Sequence, residues 1–176
     1  MGSAIERSAA EIESIDTSRY ELIDGELCER RMPTRRHAGV QGNIVEILSP
    51  KARALGLRAF PEFSVDKEDA PNSDWMTPDI LVAPAGCSVS SRQNALPPVL
   101  LVIEVLSSEQ TIPEMIRKAN RYLDWGVQNV WLIEPQKQFA VVLSEVDSKR
   151  QPTLVWSGFD LQLDNGLSVP LAELLG

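Results

Sequence analysis

Two acidic residues stand where an acid is costly. In VLLVIEVLSSEQ, residues 99–110, Glu104 interrupts an aliphatic run that otherwise reads as a fully buried strand. An ionised carboxylate there loses several kcal/mol of hydration, as an order of magnitude, unless a cation, a metal or hydrogen-bond donors compensate it. In TPDILVAP, Asp79 precedes five residues of which four are apolar, so a second acid enters an apolar strand near its start. One such acid usually has a structural partner; two that converge could hold a divalent cation, which prefers carboxylate oxygens to imidazole. The chain has a single histidine, which makes a His-rich metal site impossible and favours Mg2+ or Mn2+ over Zn2+.

The elements that must carry these acids follow from periodicity. Strand alternation puts Val102, Glu104 and Leu106 on one face. After them, TIPEMIRKANRYLDWG reads as a helix: Thr111 and Glu114 have capping-box spacing, Pro113 suits a first turn, and Gly126 sits where a C-terminal cap belongs. VQNVWLIEP then reads as another buried strand, so residues 99–134 form a β-α-β unit with parallel strands and a right-handed crossover. Upstream, LRAFPEFSVD and TPDILVA read as an antiparallel pair joined by the polar loop KEDAPNSDWM. From Thr34, a suitable N-cap, Val40, Ile44, Ile47, Leu48 and Leu55 recur at helical spacing, and Pro50 should kink or split this helix after Leu48 or Ser49. Asp24-Gly25 in YELIDGELCER signals a type I′ hairpin with Leu22 facing Leu27. Residues 9–15 read as a short helix in an N-terminal extension of residues 1–19, and SVSSRQNALPP as a loop. FAVVLSEV and PTLVWSGF continue as a meander, and VPLAELL closes as a strand end or short helix.

Composition bounds the class. A chain of 176 residues with 43% hydrophobic content suits one well-buried core, read here as a single domain over residues 20–176. No apolar stretch approaches the about 20 residues needed to span a bilayer, and the first residues lack the apolar core of a signal peptide, so a cytoplasmic location without membrane contact is expected. Cys28 and Cys87 are far apart in sequence and read as ordinary reduced thiols. A net charge of −8 argues against gripping nucleic acid by bulk electrostatics alone. Yet Arg30, Arg31, Arg35, Arg36, Lys51, Arg53 and Arg58 face one acid, Glu46, in residues 30–58. That basic segment is either a solvated face or a phosphate-contacting surface.

Together RYELIDGEL, TPDILV, LLVIEVLSSEQT and KANRYLDWGVQNVWLIEP resemble the putative restriction endonuclease (Uma-like) family, a branch of the PD-(D/E)XK nuclease superfamily. The resemblance runs from Tyr20 to Pro135. It implies an α/β (α+β) fold, a restriction-endonuclease-like mixed central sheet flanked by helices with an N-terminal β-hairpin, and Mg2+-dependent (or Mn2+-dependent) hydrolysis of phosphodiester bonds in DNA; a homodimer is expected. Residue by residue, Asp79 matches the aspartate of the Pro-Asp motif and Glu104 the acid of (D/E)-x-K. Both are implied metal ligands.

The motif lysine is absent, Leu106 standing in its place; branches with that substitution often supply the lysine from the following helix, which makes Lys118 the candidate, with Tyr122 one turn later. Lys118 lies three residues after Met115 and four before Tyr122, at the border of the apolar stripe, where its stem could lie along the sheet. The plain alternative is a surface ion pair with Glu114. Glu62, on the preceding strand, is a possible further ligand or a solvated acid. His37 matches a histidine common at the start of the family's long helix, where it could contact phosphate or a metal-bound water, with Arg35 and Arg36 beside it for substrate. Glu21 and Glu26 read as structural; Trp125, Trp131 and Trp156 read as core or subunit-interface residues, and Trp75 as a loop residue that could stack on a base. Competing with a nuclease are a protein that kept the nuclease fold as a DNA- or protein-binding module, and a hydrolase of some other phosphoester.

Overall fold

A computed structural model of the chain describes residues 19–23, 25–30, 32–66, 74–87, 98–146 and 149–176. The helix expected over residues 9–15, Asp24 of the hairpin turn and the loop over residues 88–97 lie outside the described residues. In chain order the strands are β1 (Tyr20–Ile23), β2 (Glu26–Glu29), β3 (Leu57–Pro61), β4 (Val65–Asp66), β5 (Trp75–Met76), β6 (Ile80–Pro84), β7 (Leu101–Val105), β8 (Asn129–Glu134), β9 (Phe139–Val146), β10 (Lys149–Arg150), β11 (Thr153–Trp156), β12 (Asp160–Gln162) and β13 (Ser168–Pro170). The helices are α1 (Arg35–Ala54), α2 (Ile112–Asp124) and α3 (Leu171–Leu175). These elements group into two compact units.

The smaller unit is an antiparallel sheet in the order β2-β1-β5-β4. The hairpin has the expected register, Leu22 opposite Leu27, and Gly25 takes a positive φ of 75° in its turn, a conformation glycine adopts without steric cost. Leu22 and Met76 are fully buried. Glu21 is buried as well, and its Oε1 accepts the Thr77 N–H at 2.8 Å, so its role is structural. Trp75 belongs to a strand, not to the expected loop: it pairs with Leu22, is buried, and donates its indole N–H to the Tyr20 carbonyl. That burial withdraws it from base stacking.

The larger unit is built on a seven-stranded sheet in the order β10-β9-β8-β7-β6-β3, with β11 added to β9. β3 and β6 are antiparallel, as are β6 and β7; β7 and β8 are parallel. The parallel pair needs a long crossover, which α2 supplies. On one face, Val40, Ile44, Leu48 and Ala52 of α1 pack with Ile80, Val82, Leu101, Ile103, Val105, Trp131 and Ile133, and the C-terminal Leu161, Val169, Leu171 and Leu174 join this core. Each fully buried aliphatic side chain contributes roughly 1.5–3 kcal/mol relative to exposure.

Helix α1 runs unbroken through Pro50, so the expected split does not occur. The reason is where the proline lies. Pro50 and Glu46, whose carbonyl loses its helical donor, are both solvent-exposed, so water can satisfy that carbonyl. Leu48 and Ala52, on either side of Pro50, are held in the core. Packing on both sides outweighs the roughly 3 kcal/mol that an interior proline costs.

Helix α2 is secured at both ends. Thr111 and Glu114 complete a capping box: the Thr111 side chain accepts the Glu114 N–H, and the Glu114 carboxylate accepts the Thr111 N–H at 2.9 Å. At the other end Gly126 (φ 91°) lets its own N–H reach the Leu123 carbonyl and the Val127 N–H reach the Tyr122 carbonyl, the paired closure of a Schellman motif. Arg150 of β10 adds hydrogen bonds to Asp124 at 2.6 Å and to Glu145 at 2.8 Å, tying the last turn of α2 to the sheet edge. Among the described residues no helix is long and apolar enough to cross a membrane.

Candidate active site

The register of the larger sheet brings the acids into one row. Ile80 pairs with Ile103, and continuing that antiparallel register by one residue sets Asp79 level with Glu104. Such opposed residues are roughly 4.5–5.5 Å apart at Cα. On the other edge of β6, Pro61 pairs with Ile80 and the Glu62 N–H donates to the Asp79 carbonyl at 3.0 Å. Glu62, Asp79 and Glu104 therefore stand on three neighbouring strand lines of the larger unit.

Glu104 is 4% exposed, and what faces it comes from α2. Lys118 Nζ lies 2.9 Å from Glu104 Oε1, and the Tyr122 hydroxyl donates to the same oxygen at 2.7 Å. Helical geometry explains the pairing, since residues four apart share a face; Met115, Ala119, Tyr122 and Leu123 are buried, and Lys118 lies between them with its stem covered and its ammonium at the carboxylate. Glu114, the other partner considered for Lys118, has its Oε2 committed to Thr111. Leu106, in the place of the motif lysine, is buried just past the end of β7, and the cation at Glu104 comes from α2 instead.

Asp79 is 7% exposed. Its Oδ2 accepts the Val105 N–H at 2.7 Å and stands 3.0 Å from His37 Nε2. His37 lies three residues before Val40 and seven before Ile44, on the buried stripe of α1, and the Thr34 hydroxyl caps its N–H. It thus meets the Asp79 carboxylate through Nε2. Burial pulls the imidazole pKa down, but the hydrogen bond to Asp79 and the charges of Asp79 and Glu104 outweigh it, leaving the pKa above its ordinary value. The ring's other nitrogen, Nδ1, is buried without a hydrogen-bond partner among the described residues.

Arg36 donates to the Pro135 carbonyl at 2.6 Å, which fastens the start of α1 beyond the end of β8, and Arg35 is exposed in the same turn. Gln41, one turn after His37, was not evident as a site residue: its Nε2 donates to Glu62 Oε1 at 3.3 Å and to the Asp79 carbonyl at 3.2 Å. The signal available was its spacing, four residues after His37 and three before Ile44.

The donor set suits a cation that needs few protein ligands. Asp79 Oδ2 is engaged by two donors, and Glu104 stands level with Asp79. Mg2+ is commonly held by one or two carboxylates, with water and phosphate oxygens completing its shell. Among the described residues no group of three or more His, Cys, Asp or Glu side chains is placed to hold a metal ion.

Comparison with known proteins adds to this geometry. A family model described as Uma2, putative restriction endonuclease, matches residues 9–174. Among solved structures, the chain is similar to one described as a putative nuclease belonging to DUF820 from Anabaena variabilis ATCC 29413, at 20% identity and a TM-score of 0.78, over 96% of this chain and 97% of that one. The two share a fold. A cryo-EM structure of a DrdV–DNA complex aligns with 22% identity and a TM-score of 0.47, over 81% of this chain and 11% of that one. No curated protein matches the chain.

Proposed function

The chain belongs to the Uma2 family of putative restriction endonucleases, and from that premise we propose that it is a metal-dependent nuclease hydrolysing phosphodiester bonds in DNA. The observation that carries the reading is the Lys118 ammonium on Glu104, level with Asp79. Asp79 and Glu104 would hold Mg2+ or Mn2+, which when bound supplies Lewis-acid stabilisation of a phosphoryl oxygen and a more acidic water. His37 and the Val105 N–H fix the orientation of the Asp79 carboxylate, and Tyr122 fixes that of Glu104. Lys118, set on a helix capped at both ends, orients the attacking water or meets charge developing on the phosphate. The basic turn at Arg35 supplies a contact for the DNA backbone, which polar and cationic groups position without reading sequence.

The test is cleavage of supercoiled and single-stranded DNA by purified protein in Mg2+ or Mn2+. Wild type should nick or cut, and Asp79→Asn should abolish most of that activity while circular dichroism shows an intact fold. One observation favours a second reading: both acids already have internal partners, Lys118 and His37, as expected of a nuclease-fold module that binds without turnover. Wild type that binds DNA but cuts under no metal condition selects that reading.

A further inference from the structure

Gln41 touches two of the three strand lines at the site. We propose that it is a positioning residue that holds the Glu62 carboxylate beside Asp79, where Glu62 orients a water bound to the cation at Asp79 and Glu104. This inference rests on the metal-dependent reading above and deepens it.

A single carboxamide nitrogen carries two N–H donors, and Gln41 divides them between Glu62 Oε1 at 3.3 Å and the Asp79 carbonyl at 3.2 Å. The Asp79 carbonyl also takes the Glu62 N–H at 3.0 Å, so its two lone pairs are both used to keep Glu62 and α1 in register with the strand that bears the ligand. Glu62 has a φ of 47°, a left-handed conformation that is strained for a glutamate. Its side chain is exposed, and an exposed carboxylate left to solvent samples many rotamers. The amide of Gln41, anchored on a helix whose neighbouring Val40 and Ile44 are buried, restricts it. Glu62 stands on the strand line next to Asp79 and acts through a water of the cation's shell. Groups that orient such ligands from outside commonly affect metal affinity about tenfold or more.

The experiment is isothermal titration of the full chain with Mn2+, for wild type, Gln41→Met, Glu62→Gln and the double variant. Gln41→Met keeps the length and removes both donors; Glu62→Gln keeps the shape and removes the charge. Each single variant should weaken Mn2+ binding about tenfold. The double variant should bind no more weakly than Glu62→Gln alone, because a residue acting through Glu62 has no effect once that carboxylate is gone. Thermal melts without metal report folding, and Gln41→Ser replaces Gln41→Met if the latter is unfolded. Wild-type affinity in the Gln41 variants, or losses that multiply in the double variant, overturns the inference while leaving the metal reading intact. Failure of wild type to bind Mn2+ overturns both.

Discussion

Lys118 and Glu104 form an ion pair of 2.9 Å between helix and strand, with side chains only 16% and 6% exposed. The ammonium serves there as the counter-charge that lets an acid sit in a buried strand. The pair is also the most sensitive point of the site, since removing one partner of a buried ion pair leaves the other uncompensated.

Lys118→Met is therefore expected to lower the unfolding free energy by about 3 kcal/mol and to reduce DNA cleavage by about 10²-fold or more. Tyr122→Phe, which removes one hydrogen bond to a charged group, should cost about 1.5–3 kcal/mol of stability. Urea melts and plasmid nicking measure the two effects. Equal cleavage by Lys118→Met and wild type would show that the helix lysine takes no part in the chemistry.

Metal should stabilise the native state. With Mn2+ at about a hundred times its dissociation constant the gain is about 2.7 kcal/mol, seen as a higher melting temperature. The shift should vanish in Asp79→Asn and shrink in Glu104→Gln. A shift that survives both substitutions would place the cation elsewhere.

The imidazole of His37 gives the protein a pH signature. Its folded pKa lies above its unfolded value, which is about 6.5, so the folded state binds the proton more tightly. The stability this provides is fully present below about pH 6.5 and is lost as pH rises through the folded pKa. In metal-free buffer between pH 5.5 and 9, wild type should thus lose stability relative to His37→Gln as pH increases. A difference that is flat with pH, or that grows toward high pH, contradicts the assignment.

The caps of α2 should matter for stability more than for chemistry. Thr111→Ala removes the side chain that accepts the Glu114 N–H and should cost about 1 kcal/mol, with cleavage by the folded fraction nearly unchanged. Thermal denaturation and single-turnover assays separate the two. A large loss of turnover at full folding would mean that the first turn of α2 itself contacts substrate.

Glu104 and Lys118 could be read from the sequence because each breaks a regular pattern, an acid in an aliphatic strand and a cation at the edge of a helical stripe. The capping box of α2 and the register of the hairpin were legible for the same reason, since local rules decide them. His37 was seen, but its partner was not: which face of a strand end a helix presents its first turn to depends on tertiary packing. Gln41 carried only its spacing from His37 and Ile44 as a signal, and an amide beside a buried stripe looks like any half-covered surface residue. Pro50 misled because its cost is local whereas the burial of Leu48 and Ala52 is not.

The backbone amide of Val105 donates to a side-chain oxygen, Asp79 Oδ2, instead of to a carbonyl. This gives the molecule a built-in spectroscopic reporter. Its proton resonance depends on the charge of that oxygen, so titrating Mg2+ against ¹⁵N-labelled protein should move the Val105 cross-peak more than those of Ile103 or Leu101, farther back along the same strand.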